Sequence, residues 1–165
     1  MQTYELDITD LSHDGRGVAR HEGKAVFVRG ALPGEHVRAV RTARHRQYDE
    51  ARVDAVLAAS PDRVEPRCVH FGTCGGCALQ HLAPAAQIAA KARTLMENLE
   101  RIGHVRPGRE LAPLASEPWG YRRRARLSVK RVDKKGRVLL GFREVDGRFV
   151  ADIARWVPMV VIGDM

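Results

Sequence analysis

The stretch Gly15-Arg16-Gly17-Val18-Ala19-Arg20-His21-Glu22-Gly23-Lys24-Ala25-Val26-Phe27-Val28 decides how the first part of this chain folds. Two short β-prone runs, 18–20 and 25–28, flank His21-Glu22-Gly23-Lys24, and a glycine-bearing turn between such runs predicts a hairpin. Upstream, Tyr4-Glu5-Leu6-Asp7-Ile8 alternates with the period of a half-buried strand, and Ser12-His13-Asp14-Gly15-Arg16-Gly17 is a cluster of turn residues. Downstream, Leu32-Pro33-Gly34 marks a turn before a strand through Val37 and Val40, and a last strand runs through Val53, Ala55 and Leu57. About five short strands within residues 1–59 predict a small closed barrel of the OB type, an architecture that often binds nucleic acid.

Beyond residue 59 the pattern changes. Ser60-Pro61-Asp62 reads as a linker, and residues 60–83 as that linker plus a cysteine-bearing loop. Over 84–102, Ile88, Ala92, Leu95, Leu99 and Ile102 repeat at helical spacing along one face. Pro84 suits a first helical position and Gly103 the residue past the end, while Glu97 and Arg101 can pair one turn apart. This predicts an amphipathic core helix with no chemistry of its own. Strand character returns at 111–115, 121–132, 138–142 and 149–153, with turns at Asp133-Lys134-Lys135-Gly136 and Asp146-Gly147. The expected class is mainly β (α+β): a five-stranded OB-type barrel, the cysteine loop, one helix, and an antiparallel β meander within residues 84–155.

Composition narrows the function. The chain has 165 residues, 44% of them hydrophobic and 29% charged, enough apolar material for a core. No apolar run is long enough to span a bilayer, and the N-terminus lacks the basic-then-apolar order of a secretory signal. Three cysteines, an odd number in one cluster, fit a reducing compartment better than a disulfide framework. A soluble cytoplasmic monomer is expected, with no membrane partner. The net charge of +8 is concentrated: residues 101–137 hold twelve basic and three acidic side chains, whereas residues 1–60 hold nine of each. A field of that density points to a polyanion, since neutralising phosphates releases counterions.

Within this region, Tyr121-Arg122-Arg123-Arg124-Ala125-Arg126-Leu127-Ser128-Val129-Lys130-Arg131 places Arg122, Arg124, Arg126, Ser128 and Lys130 at even positions. Tyr121, Ala125, Leu127 and Val129 take odd positions, with Arg123 and Arg131 breaking the apolar side. One strand with a core-facing apolar side and an outward cationic side follows from the period of two. Like charges on one strand face repel, so Arg122, Arg124, Arg126 and Lys130 are the candidate RNA-binding residues. Phosphate contacts of this kind carry no sequence information.

Cys68-Val69-His70-Phe71-Gly72-Thr73-Cys74-Gly75-Gly76-Cys77 has the spacing C-x5-C-x2-C. Three thiols with three interspersed glycines predict a metal or cluster site at Cys68, Cys74 and Cys77, and thiolates select zinc or iron–sulfur. Spacing alone does not choose between them. His81 could complete a Cys3His zinc site, and a Cys74–Cys77 redox pair ranks below both.

Several of these segments together resemble a known family. Gly15-Arg16-Gly17-Val18-Ala19-Arg20, Val26-Phe27-Val28 and Ala31-Leu32-Pro33-Gly34-Glu35 resemble a TRAM domain, an OB-type RNA-binding module. Cys68, Cys74, Gly75, Gly76, Cys77 and Gln80-His81 resemble the iron–sulfur signature of the bacterial 23S rRNA (uracil-5-)-methyltransferases. Trp119 through Leu127 and Gly141-Phe142-Arg143 resemble the central RNA-binding region of the same enzymes. The resemblance implies 23S rRNA as partner, a [4Fe-4S] cluster, and S-adenosylmethionine in the full-length enzyme.

Two departures from the family stand out. Where the family places a fourth cluster cysteine after Asp152-Ile153, this chain has Trp156, and residues 156–165 read as an aberrant tail. No glycine-rich methyltransferase turn follows and no later cysteine could attack uracil, as in a truncated or frameshifted product. The expected function is therefore the RNA-binding and cluster-binding N-terminal part of such a methyltransferase, with no catalytic residues and no methyl transfer by this chain alone. The alternatives are a standalone RNA-binding adaptor with a structural zinc site on Cys68, Cys74, Cys77 and His81, and a degenerate product that folds poorly.

Overall fold

A computed structural model describes residues 2–121 and 124–153. The chain forms two compact units: the first comprises the residues up to Val64 with His81–Pro113, and the second Glu65–Gln80 with the residues from Leu114 onward.

In the first unit, alternation in the sequence becomes a six-stranded sheet: β1 (Thr3–Asp7), β2 (Asp10–Leu11), β3 (Gly17–His21), β4 (Lys24–Arg29), β5 (His36–Arg44) and β6 (Tyr48–Ala58), in the order β1-β5-β6-β4-β3-β2. The hairpin predicted over 18–28 is the β3–β4 pair, with Val18 opposite Phe27. β6 lies between two partners, antiparallel to β5 and parallel to β4. The inward positions carry Tyr4, Leu6, Ile8, Ala19, Val26, Val28, Val37, Ala39 and Ala51, which form the buried core. Each fully buried valine contributes roughly 1.5–3 kcal/mol.

The expected closed barrel is instead a sheet whose two end strands share no ladder. The first strand breaks at Ile8–Thr9. There the Ile8 N–H donates to Glu35 O (2.9 Å) and the Thr9 N–H to Val18 O (2.9 Å), so the chain passes from one end of the sheet to the other. A two-residue β2 is all that remains beyond the break.

Ser60-Pro61-Asp62, read as a linker, is held against this sheet. Glu35 is 1% exposed and its carboxylate accepts from the Leu32 N–H (2.8 Å), the Ser60 N–H (3.3 Å) and the Arg63 guanidinium (2.5 and 2.8 Å). Arg63 also donates to Gly30 O (2.6 Å). Burial raises the Glu35 pKa, but Arg63 and the two backbone donors outweigh it, and the carboxyl ends below the ordinary glutamate range. Next to this pair, His81 is 2% exposed; burial first, then Arg63, lowers its pKa to about 4, against the opposing pull of Glu35.

α1 (Pro84–Arg101) begins with the proline, as predicted, and ends one residue short of the expected bound, with Ile102 as C-cap. It is not a core helix: none of its residues is buried, and Leu95 and Ile102 of the predicted stripe are 59% and 76% exposed. The small residues Ala85, Ala86, Ala89 and Ala90 instead line a groove with Leu11, Pro33, Ser60 and Leu82. Among the described residues no helix is long and apolar enough to cross a membrane.

In the second unit the meander shrinks to one hairpin, β7 (Ser128–Val132) and β8 (Arg137–Gly141), joined by a 3-10 turn at Asp133–Lys135 that Gly136 closes in the left-handed region. Residues 111–115 form no strand; Pro113 cannot donate to a ladder, and Leu111 and Leu114 stay exposed. Phe149–Ile153 is reduced to a bridge between Arg143 and Val150 and a bond from the Ala151 N–H to Phe142 O, although Val150 and Ala151 are buried. The basic strand starts at Ser128, not Tyr121, because its partner runs out: Ser128 pairs with Gly141, and the next residue, Phe142, bonds to Ala151 instead.

The faces of β7 are also reversed from expectation. Lys130 lies opposite Leu139, which is 6% exposed, while Val129 lies opposite Leu140 on a face where Val129, Val138 and Leu140 are each more than half exposed. The segment 150–151 packs on the side of Leu139 and Gly141, and that choice sets which parity of β7 is covered.

Arg63→Ala strands the buried Glu35 carboxylate and should cost about 3–5 kcal/mol in urea unfolding. Acid should act in two windows. His81 has a lowered folded pKa, so its contribution is present above its unfolded value of 6.5 and is lost as pH falls toward about 4. Glu35 follows the same sign below the ordinary glutamate value of 4.5. Between pH 7 and 4 the melting temperature of wild type should therefore fall more steeply than that of His81→Leu, which lacks the titrating group.

Candidate nucleic-acid interface and cysteine loop

The cysteine loop is built by turns that its glycines permit. The Phe71 N–H donates to Cys68 O (3.0 Å) and the Cys74 N–H to His70 O (2.9 Å), which coils the loop over its first two thiols. The Gly75 N–H then donates to Arg143 O (2.8 Å), the Val145 N–H donates to Thr73 O (3.0 Å), and Cys74 bridges to Glu144. A Cβ at Gly75 would lie 2.9 Å from Arg143 O, and one at Gly76 2.8 Å from the Phe142 ring. The glycines are therefore needed for close approach to the segment after β8, a reason the spacing alone does not show.

Cys74 is buried, and Cys68 and Cys77 are partly exposed. Gln80 spans two of them: its Oε1 accepts from the Cys68 N–H (3.2 Å) and its Nε2 donates to Cys77 Sγ (3.0 Å). The Gly76 N–H donates to Cys74 Sγ (3.4 Å). Three sulfurs in one loop, two of them accepting N–H bonds, have the chemistry of a soft-metal or iron–sulfur ligand group. The thiols do not converge: among the described residues no three His, Cys, Asp or Glu side chains are grouped as a metal site. His81, the candidate fourth ligand, belongs to the first unit and is buried beside Arg63 and Glu35.

Of the predicted RNA-binding residues, Arg122 lies outside the described residues, as do Arg123 and the tail 156–165. Arg124, Arg126 and Lys130 are exposed, the last on β7 and the other two in irregular backbone before it. Their neighbours are partly neutralised. Arg131 pairs with Asp133 (3.1 Å), and Lys135 and Arg137 pair with Asp152 (2.6 and 2.7 Å), whose carboxyl Lys135 first and Arg137 next hold below its ordinary range. Arg124, Arg126 and Lys130 form no ion pair among the described residues, which leaves their charge available.

Sequence reasoning missed a second surface. On the outer face of the first sheet, Phe27 and Tyr48 meet edge to face (5.4 Å between centroids), and His45 stacks on Tyr48 (4.3 Å, 23° between planes). The Arg16 guanidinium lies 4.8 Å from the Phe27 centroid and pairs with Glu50 (3.1 Å) and Asp14 (2.9 Å). The turn that carries His45 is pinned: Lys24 Nζ donates to His45 O (2.5 Å) and to the buried Asp49 (2.6 Å), and the His45 N–H to Tyr48 O (3.0 Å). Lys24 first, then the Tyr4 hydroxyl, hold the Asp49 carboxyl below its ordinary range. The signal in the sequence is Phe27 with Arg29 on β4, Tyr48 with Arg52 on β6 and His45 in the turn before β6, which only the parallel pairing of the two strands makes contiguous.

Residues 1–53 match the TRAM domain family. Over 160 residues the chain is 61% identical to the 23S rRNA (uracil(1939)-C(5))-methyltransferase RlmD of Stenotrophomonas maltophilia strain K279a, covering 95% of this chain and 36% of that protein. The protein of the same name from Xanthomonas oryzae pv. oryzae strain KACC10331 is 60% identical over 154 residues, 92% of this chain and 35% of its own length. The chain thus spans about a third of the length of the curated relatives it matches. A solution structure of a conserved protein from Methanococcus maripaludis is 31% identical over 33% of this chain and 77% of its own, at a TM-score of 0.32.

Gly75→Ala puts a methyl group against a backbone oxygen that cannot step aside, and should destabilise the second unit by about 1–3 kcal/mol. Gly72→Ala, where no atom lies within 4 Å but φ is +84°, tests backbone strain separately. Urea unfolding of the two variants should show the larger loss for Gly75→Ala.

Proposed function

We infer that this chain, which corresponds over nearly all its length to the N-terminal part of the 23S rRNA (uracil-5-)-methyltransferases, holds RNA for that reaction. The observation that carries the reading is a TRAM domain in the same chain as three exposed cations, Arg124, Arg126 and Lys130, that form no ion pair among the described residues. Those side chains would contact phosphates, supplying affinity and position rather than base identity. Arg122 joins them on sequence grounds. In functional terms the chain divides into a TRAM domain over 1–59, a connecting cysteine loop over 60–83, a central RNA-binding region over 84–155, and a tail over 156–165.

Cys68, Cys74 and Cys77 would hold a [4Fe-4S] cluster, whose iron–thiolate bonds would cross-link the coiled loop. Gln80 and the Gly76 N–H would steady the sulfurs of Cys77 and Cys74 by donating to them. Packing of Gly75 and Gly76 against Phe142 and Arg143 fixes the loop on the segment after β8. In this reading methyl transfer from S-adenosylmethionine belongs to the remainder of the full-length enzyme, and the chain by itself binds RNA without methylating it. The protein acts in the cytoplasm as a monomer.

The triple variant Arg124→Ala/Arg126→Ala/Lys130→Ala should weaken binding of a 23S rRNA fragment and reduce the slope of log Kd against log salt by about 2. An unchanged slope would remove these residues from the interface. Anaerobic purification followed by metal and sulfide analysis should find iron with acid-labile sulfide, lost in Cys74→Ser. One bound zinc and no sulfide would instead support an adaptor with a structural zinc site.

A further inference from the structure

Cys68, Cys74 and Cys77 are all the cysteines this chain has, whereas a [4Fe-4S] cluster takes four protein ligands. The fold brings a carboxylate to the place where a fourth is needed. Cys74 and Glu144 are partners in an isolated antiparallel bridge. Its two bonds run from the Gly75 N–H to Arg143 O (2.8 Å) and from the Val145 N–H to Thr73 O (3.0 Å). Those bonds belong to the neighbours of the pair, so Cys74 and Glu144 face each other as a non-hydrogen-bonded pair. Side chains of such a pair share one face and approach most closely, with Cα atoms about 4.5 Å apart.

Glu144 is held from its other side as well. Its N–H donates to Phe149 O (2.8 Å), and its carbonyl accepts from the Gly147 N–H (2.8 Å). The residue is half-buried, yet its carboxylate forms no ion pair and no hydrogen bond among the described residues. Three aspartates of the same unit are engaged instead: Asp133 with Arg131 (3.1 Å), Asp152 with Lys135 and Arg137 (2.6 and 2.7 Å), and Asp146 with the Arg148 N–H (3.1 Å). An acid half out of water and opposite a buried thiol costs stability unless something compensates it. Iron does so, since carboxylate oxygens are ordinary ligands of protein-bound iron. No third donor is grouped with this pair among the described residues, so Cys68 and Cys77 would join it as the cluster binds.

We propose that Glu144 supplies the fourth ligand of the cluster, one carboxylate oxygen completing the set begun by Cys68, Cys74 and Cys77. The proposal rests on the reading that the loop holds a [4Fe-4S] cluster, and adds a residue that the cysteine spacing does not show. An oxygen donor holds its iron less firmly than a thiolate does in a cluster that favours soft ligands. The iron on Glu144 is therefore the one that leaves and returns.

The test uses the full chain, prepared anaerobically with its cluster, and ferricyanide as the oxidant. In the reaction [4Fe-4S]2+ gives one electron to the oxidant and one ferrous ion to solution, leaving [3Fe-4S]+, which electron paramagnetic resonance detects. Wild type should convert, then recover its four-iron form when reduced with added ferrous iron. Glu144→Cys should resist conversion. Glu144→Gln, which keeps the bulk but not the charge, should take iron back about tenfold or more weakly. His70→Ala, which removes the imidazole inside the loop, should behave as wild type. Glu144→Cys reads the position by a gain, so a folding loss in Glu144→Gln does not decide the matter. Recovery by Glu144→Gln equal to wild type, or a wild type that resists the oxidant as Glu144→Cys does, removes Glu144 from the site and leaves the cluster reading intact. Loss of the fourth iron confined to His70→Ala gives the position to the imidazole instead. If wild type contains no iron with sulfide, the reading and the proposal fall together.

Discussion

One carboxylate, Glu35, with almost no contact with solvent, lies where the sheet of the first unit meets the chain that leaves it, and residues 30–32 and 60–63 are arranged around it. Its oxygens accept from Leu32, Ser60 and Arg63, and Arg63 reaches on to Gly30. From the same arginine the backbone continues into an antiparallel bridge with Leu82, flanked by bonds from the Val64 N–H to His81 O and from the Ala83 N–H to Asp62 O. The pair therefore closes the turn before β5, fixes the exit from β6, and joins the two ends of the excursion that carries the cysteines. Buried ion pairs add little net stability compared with apolar packing, so its worth lies in specifying one arrangement. The aliphatic core supplies the driving force, and Glu35 selects where the chain goes next.

Charge is allotted unevenly over this basic protein. Lys24, Arg63, Lys135 and Arg137 are committed to carboxylates that hold turns or loops in place. Arg16 is shared between two carboxylates and a ring. Arg124, Arg126 and Lys130, together with Arg29 and Arg52, have no such commitment among the described residues. A net count of +8 obscures this division. What distinguishes a structural from an available arginine is whether an acid lies within reach, and that depends on partners distant in the chain.

Local rules made much of the fold legible. Alternation located β1, β3 and β4, Gly23 located the hairpin turn, and Pro84 marked the first residue of α1. The failures share a physical cause: each depended on a partner that sequence does not display. The stripe on α1 reads as core because of its spacing, but the helix instead lines a groove with its alanines and Arg93. The parity of β7 came out reversed because residues 150–151 determine which side is covered. Glu35 belongs to the Ala31-Leu32-Pro33-Gly34-Glu35 motif, which carries no sign of its burial, since Arg63 stands 28 residues away. For the candidate sites, the cysteine loop was readable from three thiols and their glycines, though not its packing on Phe142 and Arg143. The contact of Phe27 with Tyr48 was invisible because β4 and β6 are brought side by side by parallel pairing across the whole of β5.

The packing of the cysteine loop also sets an order of events during synthesis. Cys74 bridges to Glu144, which follows it by 70 residues. At about 5–20 residues per second, the thiols leave the ribosome roughly 4–14 s before the backbone that holds Gly75 and shields Cys74 exists. Until then the loop is a nascent segment with open sulfurs. The first sheet can already be complete, since everything it needs up to Arg63 precedes the loop. A growing chain would therefore carry a finished first sheet and an uncovered Cys74 together, and oxidants or stray metal ions would meet that sulfur before its cover is made.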